Sequence, residues 1–315
     1  MKIKPADLGK LKLCDLDTRP SKVEKDRLGK PWRPGGGLAE FIETLPGFLA
    51  ADDLRKTARA VVKAREMGAP VILGMGAHVI KVGLSPLLID ALEKSVITGV
   101  ALNGAGMIHD LEMALSGHTS EDVAEALADG SFGTARQTGE FINRAVAEKG
   151  ENGLGRAVGE ALLEASPPNL ELSLLAACAR LDLPLTVHVA IGSDIIHMHP
   201  SFDGQVTGRA SHFDFRLLVS QVGELKHGVF FNVGSAVVLP EVFLKALSAA
   251  RNLGMDAHDF TTVNLDMIRH YRPMTNVVSR PVMTGGEGLF ITGHHEINLP
   301  LVLAMVAELR QGKSI

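Results

Sequence analysis

Apolar residues fall along this chain in two alternating patterns. Short solid runs occur at 71–73, 96–102, 185–191, 229–233, 260–263 and 289–292, rich in Val, Ile, Leu and Phe. Runs of that length and composition, bounded by Gly, Pro or Asp, predict buried strands. Between them apolar positions recur every three or four residues, which predicts helices over 52–67 and 107–115. The same spacing marks a helix through Leu84, Leu87, Leu88, Ala91 and Leu92, another through Phe243, Leu244, Leu247 and Ala250, and a last one over 300–309. Residues 119–182 contain no strand candidate and read as helical, broken by Gly150-Glu151-Asn152-Gly153 and Pro167-Pro168. Strands alternating with helices predict an α/β fold: a doubly wound, mostly parallel sheet of six to seven strands with helices on both faces.

The strand ends carry the first chemical signal. Four strands run out at Gly74, Gly104, Gly192 and Gly234, each among small or polar neighbours, and a fifth ends at Gly293-His294-His295-Glu296. In a parallel sheet these ends share one edge, where open α/β sheets bind nucleotides. Asn103-Gly104-Ala105-Gly106 leads straight into a helix, so its backbone N–H groups and helix dipole suit an anion with no Cβ in the way. The competing reading is a tight strand-to-helix turn. The G-x-G-x-x-G fingerprint is absent, which excludes the common nicotinamide dehydrogenase layout.

Composition and charge narrow the setting. The 315 residues are 46% hydrophobic but only 4% aromatic, which suits a parallel sheet under helices better than a sandwich. Cys14 and Cys178 stand in no metal-like spacing and give no sign of a disulfide framework. No apolar run is long enough to span a bilayer, and the N-terminus lacks the apolar core of a signal peptide, so a cytoplasmic protein without membrane contact is expected. Residues 1–37 hold ten basic and five acidic side chains, a net of +5, leaving −9 for the rest of a chain whose total is −4. With four prolines, Gly35-Gly36-Gly37 and Trp32, this stretch reads as an extended basic arm over 1–45 ahead of one α/β domain, 46–315. Docking on an acidic neighbour in a homo-oligomer is the preferred use; nucleic acid is not an expected partner.

With these segments in view the chain resembles deoxyhypusine synthase, an NAD-dependent family, over nearly its whole length after the arm. Pro46-Gly47-Phe48 resembles that family's Gly-Phe-Gln helix start, and Gly76-Ala77-His78 stands where it has Thr-Ser-Asn. Asn103-Gly104-Ala105-Gly106 replaces Thr-Ala-Gly-Gly, and Gly234-Ser235-Ala236-Val237-Val238 resembles Gly-Gly-Gly-Val. Asp194 through His199 is similar to the Gly-Asp-Met…Phe-His stretch, and Arg272-Pro273 matches an Arg-Pro before the catalytic segment. The resemblance implies NAD as cofactor, bound by Gly76, Ala77, His78, Asn103, Gly104, Ala105, Gly106, Gly234, Ser235 and Ala236, and a dimer or tetramer with sites at subunit interfaces. The departures bear on the reaction. The family's imine-forming lysine falls on Pro281, and no lysine stands between Lys245 and Lys313. Proline forms no imine and Arg280 is a poor nucleophile, so transfer of an aminobutyl group is not expected. The acidic pair after the Gly-rich loop becomes Ile108-His109, with Asp110 retained.

The histidines supply the remaining chemistry. His197 and His199 stand near Asp194, and His294-His295-Glu296 ends the last strand. Acid–base or substrate contact is preferred over a metal site, for which no residues are assigned. His199 and His294 are the expected bases, Asp194 and Glu296 the expected anchors for a cationic amine, and His109 a further pocket residue. His188, inside a strand run, reads as a core histidine. Asp266, Arg269 and His270 are candidates for the rim. The expected function is NAD-dependent oxidoreductase or transferase chemistry on a small amine or other polar substrate. A metal-dependent hydrolase using the two histidine clusters, or a non-catalytic nucleotide-binding protein, are the alternatives.

Overall fold

The structure is a computed structural model that describes residues 3–313. Met1 and Lys2, counted in the basic arm and the leader reading, lie outside the described residues, as do Ser314 and Ile315. Six strands form one sheet: β1 (Val71–Met75), β2 (Gly99–Asn103), β3 (Leu185–His188), β4 (Val229–Val233), β5 (Phe260–Asp266) and β6 (Gly286–Thr292). Every neighbouring pair is parallel, in the order β3-β2-β1-β4-β5-β6. The helices before β2 are α1 (Leu38–Thr44), α2 (Leu49–Glu66), α3 (His78–Lys81) and α4 (Ser85–Glu93). Between β2 and β3 run α5 (Gly104–Ser116), α6 (Val123–Asp129), α7 (Arg136–Lys149), α8 (Leu154–Ala165) and α9 (Leu174–Arg180). Then follow α10 (Gly204–Gly223), α11 (Val238–Asn252), α12 (Tyr271–Pro273) and α13 (His295–Arg310).

The four inner strands divide their side chains between two cores, and the edge strands β3 and β6 feed the first. Leu73, Val100, Leu102, Phe231, Val263 and Ile291 join the core under α2, α4, α5 and α13. Ile72, Ala101, Phe230 and Phe260 point the other way, under α10 and α11. That period-two division is why the strands read as solid apolar runs: both faces are covered. Phe230 and Phe243 stack with ring centroids 3.7 Å apart in the second core. The chain steps from β1 to β2 through helices of the first layer and from β4 to β5 through α11 of the second. The sheet thus reverses direction between β1 and β4, the switch point of a doubly wound fold.

The departures from the sequence reading have local causes. Val96 and Ile97 stay outside β2 and fold back on the end of α4, both N–H groups bonding the Ala91 carbonyl after Ser95 turns at φ 54°. β3 stops at His188, because the Asp194 carboxylate accepts from the Ala190 N–H and pulls the following residues out of the sheet. α5 begins at Gly104, three residues earlier than expected, since the Asn103 side chain caps it by accepting from the Gly106 N–H at 2.9 Å. α13 starts at His295 and carries Pro300 inside it instead of at its first turn. Residues 119–182 are helical, as α6 to α9.

Candidate functional site

Loops after β1 and β4 meet at the switch point so closely that their glycines are filled by the protein itself. A Cβ on Gly76 would stand 2.5 Å from the Gly234 carbonyl oxygen, and one on Gly234 (φ 65°) 2.7 Å from His295 Nε2. His295 is buried, its ring 5.7 Å from that of His78, and its Nδ1 has no partner. Burial holds His295 below the usual histidine range. Ser235 Oγ accepts from the Leu239 N–H and so caps the first turn of α11, whereas Val237 contributes no side-chain cap. Ala77, His78, Ala236 and Val237 keep accessible surface above these loops.

The second feature lies at the carboxyl ends of β2 and β3. The space beside Gly104 is taken by the Asp194 carboxylate, which a Cβ there would overlap. The N-terminus of α5 therefore already faces one carboxylate of this chain, with the Asn103 cap beside it. Burial pushes the Asp194 carboxyl up, against the Ala190 hydrogen bond and the nearby His197. Beyond it opens a cavity of about 930 Å³. Its walls are one face of α5 (Ala105, Ile108, His109, Glu112), the segment 118–123, α7 (Thr138, Glu140, Phe141, Arg144) and Ser193-Asp194-Ile195. Glu112 accepts from Thr138 Oγ1 at 3.0 Å and from Thr119 Oγ1, and Thr119 Oγ1 also stands 2.6 Å from His109 Nδ1. Burial would push the Glu112 carboxyl up, but bonds to His109, Thr119 and Thr138 outweigh it and hold the group below its usual range. Glu112 is therefore an ionised carboxylate on the cavity wall.

The expected site residues divide among these places. Ala105, His109 and Asp194 line the cavity; Gly76, Ala77, His78, Gly234, Ser235 and Ala236 form the switch point. His199 packs its ring over Gly139 of α7, with Nε2 buried and unpartnered. His197 Nδ1 accepts from the Gly192 N–H. His294 is exposed at the start of α13, 3.7 Å from Glu296, and neither lines the cavity. β3 and β6 are the two edges of the sheet, five strand spacings or roughly 24 Å apart. The two histidine clusters are not brought together, and no group of three or more metal-ligating side chains occurs among the described residues. His188 is a core histidine: buried on β3, bonded to Thr186 Oγ1 at 3.0 Å and pushed down to about 4 by burial. Asp110 turns away from the cavity and is fully buried against α9. Asp266 ends β5 as a buried residue, and Arg269 lies 4.9 Å over the Phe290 ring.

Glu112, Thr119 and Thr138 were not singled out in the sequence, and His295 only as a member of the His294-His295-Glu296 cluster. Glu112 had a usable signal, because 105, 109, 112 and 116 form one helical stripe that carries His109. Thr119 and Thr138 had none, since only folding brings them to α5.

No protein-family profile matches the chain, and no curated protein matches it. Solved structures do. AgrE, crystallised as a ternary complex with ornithine and NAD+, superposes with a TM-score of 0.54 at 13% identity over 82% of this chain and 33% of AgrE. This chain thus spans about a third of AgrE's length. A conserved LOR/SDH protein, provisionally so assigned, from Methanococcus maripaludis S2 gives 0.54 at 15% identity, covering 88% of this chain and 72% of its own. An Entamoeba histolytica protein provisionally assigned as a deoxyhypusine synthase gives 0.50 at 10% identity, covering 88% and 95%. At such identities the likeness is one of fold: this chain shares its α/β fold with AgrE, the LOR/SDH protein and the provisionally assigned deoxyhypusine synthase.

Proposed function

We propose that this chain is an NAD-using enzyme that oxidises or transfers a small amine-bearing substrate held in the 930 Å³ cavity, and that its reaction is not deoxyhypusine synthesis. The observation that carries this reading is the cavity wall, which Glu112, Glu121, Glu140 and Asp194 share with His109 one strand away from the switch point. Four carboxylates against Lys81 and Arg144 favour a cationic ligand. The fold shared with AgrE, a protein seen with ornithine and NAD+, supports the same class.

The switch point is where a dinucleotide would lie in a sheet of this topology. Its loops diverge to opposite faces of the sheet, and Ala77, His78, Ala236 and Val237 offer accessible surface beside the start of α11. There NAD would supply a hydride acceptor for the carbon bearing the amine. Gly76 and Gly234 would act by letting the two loops close on each other, and Gly104 by admitting Asp194. Asp194 and Glu112 would hold the ammonium group by charge-assisted hydrogen bonds. His109 would take the proton released from the substrate nitrogen; of the three candidate histidines it alone lines the cavity.

Calorimetric titration of the full-length protein with NAD+, followed by a search for amine-dependent NADH fluorescence, tests the reading. Binding of NAD+ and turnover of a primary amine are expected. Glu112→Gln should weaken the amine about 10-fold or more while leaving NAD+ affinity unchanged, as loss of a charged hydrogen bond predicts. Failure to bind NAD+ would overturn the cofactor assignment. Binding without turnover would favour a non-catalytic nucleotide-binding protein.

A further inference from the structure

The polar contacts on α5 fix a direction for each proton. Glu112 is ionised and can only accept, so the single proton of the Thr119 hydroxyl is committed to Glu112 Oε2. Thr119 Oγ1 then has only lone pairs left for its other neighbour, His109 Nδ1 at 2.6 Å. That short distance requires a proton between them, and the imidazole must supply it. His109 is thus the Nδ1–H tautomer, and its Nε2 carries the lone pair. Thr138 completes the arrangement, donating to Glu112 Oε1 at 3.0 Å and so holding the carboxylate from its far side.

Thr119 belongs to the segment 117–134, which crosses from α5 to α7 over the cavity. Its helix, α6, buries no residue. The segment has left-handed backbone at Gly117 (φ 73°), Ser120 (71°), Gly130 (79°) and Gly133 (74°). Thr119 ties it to Glu112 and His109 on α5, whereas the Gly133 N–H bond to Glu121 only closes the segment on itself. His109, by contrast, sits on the long helix α5, whose core face is fully buried.

We infer that Thr119 and Glu112 are positioning residues that fix His109 as its Nδ1–H tautomer, leaving Nε2 to receive a proton from a ligand in the cavity, and that seating of segment 117–134 completes this relay. The inference rests on the proposed role of His109 as base. In the proton step a bond forms between Nε2 and the proton, and the substrate N–H bond breaks with its electron pair retained by nitrogen. Nδ1–H stays on Thr119 and the hydroxyl proton stays on Glu112. The imidazolium then lies 3.6 Å from an ionised carboxylate. An open segment withdraws Thr119 and leaves His109 without a set tautomer, which couples closure over the substrate to alignment of the base.

The tautomer can be read without cofactor or substrate. Long-range proton–nitrogen correlation spectra of the full-length protein labelled with 15N-histidine report it, with His109→Gln used only for assignment. Neutral His109 in the unmodified protein should show protonated Nδ1 and unprotonated Nε2. Thr119→Ser should keep that pattern, and Thr119→Val should lose it. Glu112→Gln should reverse it: Thr138 keeps the amide oxygen, the amide nitrogen donates to Thr119, and the hydroxyl proton turns to Nδ1. An unmodified protein with protonated Nε2 overturns the relay outright, as does a pattern unmoved by both Thr119→Val and Glu112→Gln. The expected pattern in a protein that neither binds NAD+ nor turns over amines would leave the relay standing and remove the proposed reaction.

Discussion

At the residue scale, two carboxylates tie helices to the sheet layer without touching the cavity. Asp110 accepts from Ser173 Oγ at 2.5 Å and from the Leu174 and Leu175 N–H groups at 2.8 and 3.2 Å, capping α9 from α5. Asp214 on α10 accepts from the Gly155 N–H at 3.0 Å and the Val187 N–H at 2.7 Å, joining the start of α8 to β3. Burial pushes Asp110 up to about 6 and Asp214 up to about 7, further than their backbone bonds pull them down. A proton is then held more tightly in the folded than in the unfolded chain. Such groups contribute stability that is fully present below about pH 4 and lost as pH rises through about 6 to 7. Urea midpoints should therefore fall between about pH 4 and 7 through these two groups, and Asp214→Asn should flatten that fall. An equal slope in the variant would show that Asp214 does not titrate there. In the resemblance to deoxyhypusine synthase Asp110 was the acid retained after the Gly-rich loop. Sequence gives the residue type but not the rotation of α5 that turns Asp110 inward and His109 outward.

At the element scale, glycine spacing sets how closely α8 packs. Gly155 and Gly159, one turn apart, face the Leu185 carbonyl of β3 and the Leu175 carbonyl of α9; a Cβ on Gly159 would stand 2.5 Å from the latter. Backbone cannot yield as a side-chain tip can, so Gly159→Ala should cost about 1–3 kcal/mol. Gly208, inside α10, has nothing within 4 Å of a new Cβ. Gly208→Ala should leave packing alone and stabilise by roughly 0.5–1 kcal/mol through helix propensity. Thermal melts of the pair provide the comparison, and equal shifts would deny the close helix approach. The same logic explains what was legible beforehand. The six strands, though not all of their bounds, and the helical 119–182 region follow from local pattern, and the structure keeps them. What a glycine faces is not local: Gly104 looks onto Asp194, ninety positions away along the chain, and Gly234 onto His295. The cavity likewise arises where α7 and segment 118–123 come over α5, a meeting that no motif in either segment announces.

At the scale of the whole molecule, the basic arm divides into a fastened part and a free part. From Arg27 onward it is tied to the body: the Arg27 guanidinium donates to the Gly47 carbonyl and lies 4.5 Å over Phe48, and the Lys30 N–H bonds the Thr44 carbonyl at 2.8 Å. Trp32 stacks edge-on against Phe41 of α1 with centroids 5.6 Å apart, so it anchors the arm to its own chain first. Ahead of Arg27, Ile3, Leu8, Leu11, Leu13, Leu16 and Val23 are all more than 60% exposed. Apolar side chains at that density gain by burial, at about 25 cal/mol per Å² removed from water. A second copy with a −9 body offers a surface of opposite charge to the +5 arm. The expected state is therefore an oligomer in which the free part of the arm lies on a neighbour. Light scattering should give a multiple of 33.5 kDa, and deletion of residues 1–26 should shift it toward the monomer. Salt separates the two forces, because the Debye length shrinks to roughly 3 Å at about 1 M. Docking led by charge should dissociate as salt rises, whereas docking led by the six apolar residues should persist or strengthen. A monomer at micromolar concentration, or an assembly unchanged by the deletion, would show that the free arm plays no part in association.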